Sequence, residues 1–197
     1  MRGCVQARFG QAQQSVWEHG QAVLGGYEAL LLAAASGQLP EGWRPPKWWS
    51  PAAAAWLLAH QPQRQTMARY LLWHDCGKPA ALVLDAQGRA HFPGHAQVSA
   101  DTWRALGGTA DEVWLIRHDM VLHSGSAADC AELLHTPEGR RLWPGLLLAA
   151  LSEVHANAQM FGGTESTSFK AKAKQLDRRG TQLLGAAGAN AIQAAAG

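Results

Sequence analysis

Residues 70–79 read YLLWHDCGKP, an apolar run that ends in a His-Asp pair followed by a glycine and a lysine. The apolar run predicts a helix over 63–76. The surrounding sequence is rich in Ala and Leu, and its apolar residues recur at helical spacings almost throughout. We therefore expect an all-α fold, a helical bundle in which the His-Asp pair lies near the end of a helix.

The same periodicity predicts most of the other helices. They are expected over 12–36, 95–106, 109–123 and from Thr136 to about 160. Pro51 follows a loop rich in Pro and Gly and is suited to the first turn of a further helix. Ser126 is suited to an N-cap, since its hydroxyl can accept from the free amides that begin a helix.

Two segments depart from this pattern. ALVLDAQGRAHF, residues 81–92, has two short runs about an Asp- and Gly-containing turn, which predicts one small β-hairpin. The basic stretch FKAKAKQLDRRG fits either a strand with one basic face or a helix, because Lys170 and Lys174 are four apart. We expect a single domain over 1–197, with a core at about 12–160 and a basic, helical C-terminal extension at about 161–197.

Composition bounds the class of protein. Of the 197 residues, 47% are hydrophobic and 16% charged, which excludes a solvated disordered chain. A formal charge of +2 is too small to indicate nucleic-acid binding by itself. Cys4, Cys76 and Cys130 form no CxxC pair, so neither a disulfide framework nor a zinc-thiolate site is indicated. Without a membrane-spanning run or a signal-peptide stretch, we expect a cytoplasmic protein that does not contact a membrane, and a homo-oligomer is compatible with the sequence.

The residue types in the central pair suit a metal ion. Adjacent residues on a helix point about 100° apart, so His74 and Asp75 can share one ion only at a helix end. Gly77 would permit the backbone to turn there. An imidazole nitrogen and a carboxylate suit a divalent transition metal or Mg²⁺. Lys78, directly after the pair, could meet an anion.

Further candidate ligands lie on both sides of this pair. Asp119 sits in an apolar helix, where a carboxylate is costly unless it is paired or ligating; a solvent-facing Asp beside Arg117 is the alternative. Upstream, both His19 and His60 are candidates. Five of the nine histidines lie between positions 74 and 123, which indicates a cluster: His74, His91, His95, His118 and His123.

LLWHDCGKP resembles the HDxGK signature of the HD-domain metal-dependent phosphohydrolase superfamily, and the motif is closest to stand-alone HD proteins and the HD portion of CCA-adding enzymes. The resemblance covers roughly residues 15–125. SVWEHGQAV is similar to the family's first-His helix, which favours His19 over His60. The resemblance implies an HD-domain helical bundle and a divalent metal cofactor (Mn, Mg, Ni, Co, Fe or Zn). The ligands it implies are His19, His74, Asp75 and Asp119, with His95 and His91 for a second ion.

The resemblance also implies an activity. It points to a phosphomonoesterase or phosphodiesterase acting on a nucleotide or nucleic-acid phosphate, with Asp75 orienting or deprotonating water and Lys78 stabilising negative charge. We expect the basic extension, through Lys170, Lys172 and Lys174, either to bind substrate phosphate or to form a solvated face. One alternative is a catalytically silent HD-fold module that binds nucleotide or RNA. Another is a helical interaction protein whose Trp-rich loop, EGWRPPKWWS, docks a partner.

Overall fold

The computed structural model describes residues 1–9, 12–160 and 162–188, and its fold is all-α, as the sequence predicts. Two short antiparallel hairpins accompany the helices, β1 (Val5–Phe9) with β2 (Ala12–Ser15) and β3 (Val83–Leu84) with β4 (Ala90–His91). The helices are, in chain order, α1 (Val16–Ala34), α2 (Pro51–His60), α3 (Arg64–Trp73), α4 (Lys78–Ala81), α5 (His95–Ala105), α6 (Ala110–His118), α7 (Val121–Ser124), α8 (Ala127–Leu133), α9 (Pro137–Met160) and α10 (Thr167–Ala187).

Helix α9 forms the centre of the bundle. Its residues 146–152 are all buried, so this segment is enclosed on every side, as expected of a helix surrounded by others. Helices α1, α2, α6 and α10 pack around it. Each fully buried leucine contributes about 1.5–3 kcal/mol relative to an exposed one. This segment holds four of them, Leu146, Leu147, Leu148 and Leu151.

A capping box fixes the start of α1. The Ser15 side chain accepts from the Glu18 amide at 3.2 Å, and the Glu18 carboxylate accepts from the Ser15 amide at 2.8 Å. The helix predicted from residue 12 therefore begins at Val16, and 12–15 form β2 instead. The N-terminal hairpin was not predicted, because its residues lack the β-branched enrichment that marks a strand.

Two predicted helices are interrupted where the polar residues occur. The helix predicted over 63–76 ends at Trp73, and His74 and Asp75 lie in the turn that follows. The helix predicted over 109–123 is divided into α6 and α7, and Asp119 is the C-cap of α6. At each break a carboxylate, Asp75 or Asp119, lies where the regular helix has ended.

The predictions for the second hairpin and for the basic C-terminal stretch are largely confirmed. The hairpin β3–β4 falls within 81–92, although each strand has only two residues. The basic stretch is helical, because the Ser166 side chain caps α10 by accepting from the Phe169 amide at 3.2 Å. The predicted end of the extension, 189–197, lies outside the described residues. None of the described helices is both long and apolar enough to cross a membrane.

Candidate metal centre

Four of the predicted ligands meet in the interior. His19 comes from α1, His74 and Asp75 from the turn after α3, and Asp119 from the end of α6. Their residues are 1%, 2%, 2% and 6% exposed, respectively. Polar groups so deeply buried are costly unless each has a partner, so this convergence calls for a chemical explanation.

Two glycines let the elements of the centre approach closely. A Cβ on Gly20, next to His19, would lie 2.6 Å from the Leu72 carbonyl oxygen, so only glycine lets α1 pass this near to α3. A Cβ on Gly77 would lie 2.4 Å from the Ser99 amide nitrogen. Gly77 lies in the turn after α3, as the sequence predicts, but its φ of −84° is one that any residue adopts. The glycine is needed because α5 packs directly on it.

Asp75 lies among three imidazoles. Its Oδ2 is 3.3 Å from His74 Nε2 and 3.7 Å from His19 Nε2, and its Oδ1 is 3.5 Å from His95 Nε2. Backbone carbonyls orient two of the rings, since Nδ1 of His74 donates to Leu71 and Nδ1 of His95 donates to Phe92. Both rings therefore present Nε2 to the carboxylate, just as a hydrogen bond to one ring nitrogen orients a metal-ligating histidine.

Two further residues belong to this cluster. Glu153 of α9 has Oε1 3.6 Å from His19 Nε2 and Oε2 3.0 Å from His123 Nε2. Within the described residues, two sets have ligand atoms that all lie within 4.8 Å of one another: His19, His74 and Glu153, and Asp119, His123 and Glu153. The sequence reasoning missed Glu153, although it stands in the apolar run LLLAALSEVHA and carries the same signal that identified Asp119.

The imidazoles of the cluster are incompletely satisfied. Both ring nitrogens of His19, and Nε2 of His74 and of His123, are buried without a hydrogen-bond partner among the residues described. Each buried polar group left in this state costs about 1–3 kcal/mol. A divalent cation would give these nitrogens a partner, and a mixture of imidazoles and carboxylates is a donor set that transition metals accept. The residues present therefore fit the metal that the sequence resemblance implies.

The charged groups of the cluster pair with one another. Burial alone would lower the pKa of His74, but the adjacent Asp75 carboxylate outweighs it and raises that pKa to about 10. Burial opposes ionisation of Asp75, yet His74 and Lys78 hold the pKa of Asp75 well below its usual range. Burial raises the pKa of Asp119. A cation would consequently have to displace a proton from His74.

Lys78 lies at the edge of the cluster. Its Nζ is 2.5 Å from Asp75 Oδ2 and 2.8 Å from Gln6 Oε1, and it lies over the Phe92 ring. Gln6 also lines a cavity of about 850 Å³ between the N-terminal segment and the β3–β4 hairpin, which Leu84 and Arg89 border as well. Lys78 thus connects the buried carboxylate with a space large enough for a small organic molecule.

Not every predicted ligand joins the cluster. His91 is exposed on the β3–β4 hairpin, and its Nε2 is 3.0 Å from Asp85 Oδ2, so the structure does not bring it to the centre with His95. The reason is that β4 turns its side chain to the carboxylate in the hairpin turn. His60 lies at the end of α2, where its Nδ1 donates to the Trp56 carbonyl. Of the two upstream histidines, the centre therefore contains His19.

The three predicted substrate lysines face different directions. Lys170 and Lys174 line a groove of about 340 Å³ opposite Arg44 and Lys47. Lys172, on another face of α10, is the one whose charge reaches His123. The structure therefore brings one of the three towards the metal cluster and puts the other two in a separate basic groove.

The Trp-rich loop packs inward. The Trp43 ring stacks on His155 at a centroid distance of 4.2 Å, and Trp49 Nε1 donates to the Gly37 carbonyl. A Cβ on Gly180 of α10 would lie 2.2 Å from Trp48 Nε1, so this ring packs directly on the C-terminal helix. These indoles serve internal packing, which removes the observation that favoured a docking loop.

Comparisons of the chain with protein-family models, with curated proteins and with solved structures found no match.

Proposed function

We propose that this protein is a metal-dependent, HD-type phosphohydrolase that cleaves a phosphomonoester or phosphodiester of a nucleotide or nucleic acid. The observation that carries the proposal is the set of buried imidazole nitrogens, without hydrogen-bond partners in the described chain, that surround carboxylates from separate elements. A cluster of this kind is destabilising for the fold alone, which favours a functional role.

The ligands proposed for the cation are His19, His74, Asp75 and Asp119, together with Glu153. When bound, a divalent cation would acidify a water molecule and neutralise charge on the phosphoryl group. Tyr70 donates to Asp119 Oδ1 at 2.5 Å and so holds that carboxylate in place.

Asp75 and Lys78 take different parts in the reaction. Because neighbouring cations hold the pKa of Asp75 well below its usual range, this carboxylate is a weak base. It is better suited to ligate the cation and orient the attacking water than to remove a proton. Lys78 Nζ, whose side chain is 14% exposed, lies beside it and would bind an oxygen of the phosphoryl group.

A second candidate is a catalytically silent module that binds nucleotide or RNA. The basic groove favours it, because Arg44, Lys47, Lys170 and Lys174 converge there while Asp177 is the single carboxylate among its lining residues. Glu165 offsets part of this charge through contacts at 3.5 Å with Arg44 and 3.0 Å with Lys170. The groove would bind phosphate groups by charge alone and needs no cation.

A substrate panel separates the two candidates. The purified protein is assayed with Mn²⁺ and with EDTA on an aryl phosphate monoester, the corresponding diester and a 2′,3′-cyclic nucleotide. We expect Mn²⁺-dependent hydrolysis of at least one ester, and a loss of about 100-fold or more in kcat/KM for Asp75→Asn. The matched control, Asp85→Asn, alters a half-buried hairpin carboxylate that lies outside the cluster, and it should retain activity.

Two results would contradict the hydrolase. Mn²⁺ binding without turnover on any ester would favour the silent module. Equal activity in Asp75→Asn and Asp85→Asn would show that the hydrolysis arises elsewhere or from a contaminant.

A further inference from the structure

We propose that the centre takes two divalent cations. Asp119 then ligates the second cation instead of the first, together with His123 and Glu153, and Glu153 bridges the pair. The inference rests on the proposed phosphohydrolase function, because it concerns the same site.

Glu153 has the geometry of a bridging ligand. Its Oε1 is on the side of His19, at 3.6 Å from Nε2, and its Oε2 is on the side of His123, at 3.0 Å from Nε2. The two sets of mutually close ligand atoms share this residue and no other. A carboxylate whose oxygens face different sets of donors can bind one cation with each oxygen.

The second set also contains a ligand atom without a hydrogen-bond partner in the described chain, Nε2 of His123. His123 Nε2 is buried and makes no hydrogen bond within the described residues, although its distance to Glu153 is short. His123 lies four residues after Asp119, across the break between α6 and α7, so both can face one point. Tyr70 holds Asp119 in position by its hydrogen bond to Oδ1.

The charge of the cluster indicates when the second cation would bind. Asp75, Asp119 and Glu153 contribute −3 and Lys78 contributes +1, which gives −2 when the imidazoles are neutral. One divalent cation balances this charge. A second would leave +2 in a buried site, which is unfavourable until a phosphate dianion enters. The second cation and phosphate should therefore each raise the affinity of the other.

An ion pair is the competing explanation for the second set. A protonated His123 beside an ionised Glu153 would satisfy the charges without any cation. The two explanations differ in the number of ions bound, and this number can be measured without reference to catalysis.

The test is a titration of the full chain with Mn²⁺, with and without inorganic phosphate, followed by electron paramagnetic resonance and elemental analysis. We expect two Mn²⁺ per chain and an exchange-coupled spectrum when phosphate is present. Phosphate should lower the dissociation constant of the second Mn²⁺ about tenfold or more. His123→Ala should bind one Mn²⁺ with an uncoupled spectrum, and His123→Gln serves if the alanine variant does not fold. His135→Ala, which alters an exposed histidine, should still bind two.

The outcomes distinguish this inference from the proposed function. One Mn²⁺ per chain at saturating Mn²⁺ and phosphate, with hydrolysis intact, would overturn the second site alone. Two coupled Mn²⁺ ions without hydrolysis of any ester would support the second site and overturn the hydrolase. A His123→Ala variant that still binds a coupled pair would also overturn the assignment.

Discussion

Gly20→Ala tests whether backbone packing between α1 and α3 sets the geometry of the centre. The added Cβ would lie 2.6 Å from the Leu72 carbonyl oxygen, whereas ordinary contact begins at 3.4 Å, so the helices must separate by about 0.8 Å. Metal sites tolerate deviations of about 0.2 Å in ligand distance. A displacement of His19 this large should weaken Mn²⁺ binding about 10- to 100-fold, although no ligand is altered.

Gly25→Ala is the matched control on the same helix. A Cβ there meets nothing within 4 Å, so alanine should raise the free energy of unfolding by about 0.5–1 kcal/mol. At Gly20 the same gain is offset by an overpacking cost of about 1–3 kcal/mol. The free energies of unfolding of the two variants should thus differ by about 1–3 kcal/mol.

The measurements are urea unfolding in EDTA, which reports packing alone, and calorimetric titration with Mn²⁺. Equal free energies of unfolding for the two variants would show that α1 and α3 are not in backbone contact. A destabilised Gly20→Ala variant with wild-type Mn²⁺ affinity would refute the argument that His19 is held as a ligand by this contact.

Three further predictions concern the centre and the core. Since His74 has a pKa of about 10 in the metal-free protein, Mn²⁺ must displace its proton, and the affinity should rise by about tenfold per pH unit from pH 6.5 to 8.5; a flat calorimetric profile contradicts this. Tyr70→Phe removes the donor to Asp119 and should weaken Mn²⁺ binding about 10- to 100-fold, which the same titration measures. Leu147→Ala, at a fully buried position, should lower the free energy of unfolding by about 2–5 kcal/mol in urea. Its control is Leu32→Ala, at a residue that is 79% exposed, which should change the same free energy by about 0.5 kcal/mol or less.

The fold class follows from the sequence because helical periodicity is a local property. The positions of the helix breaks are less local. Asp119 divides the helix predicted over 109–123, and no Gly or Pro in that stretch marks the break. The N-terminal hairpin escaped prediction for a related reason: its strands contain few β-forming residues, and each is stabilised by pairing with the other.

The candidate site was only partly predictable. Asp119 could be identified because a carboxylate in an apolar helix needs a partner, and the same argument applies to Glu153. What the sequence does not contain is the packing of α9 against α1, which brings Glu153 to His19. His91 shows that the sequence can also mislead. It is close to His95 in sequence, but the hairpin directs its side chain away from the centre. The family resemblance itself stays a prediction.

Helix α9 carries both a carboxylate of the centre and the most apolar segment of the bundle. After Pro144, which interrupts the hydrogen bonds of α9, one continuous stretch of helix carries both the apolar segment and Glu153. Solvent exchange of amides near Glu153 should then require the same opening that exposes residues 146–151, so that a bound ion protects both from exchange to the same degree. Occupancy of the centre would therefore slow amide exchange in the part of this 24-residue helix that follows Pro144.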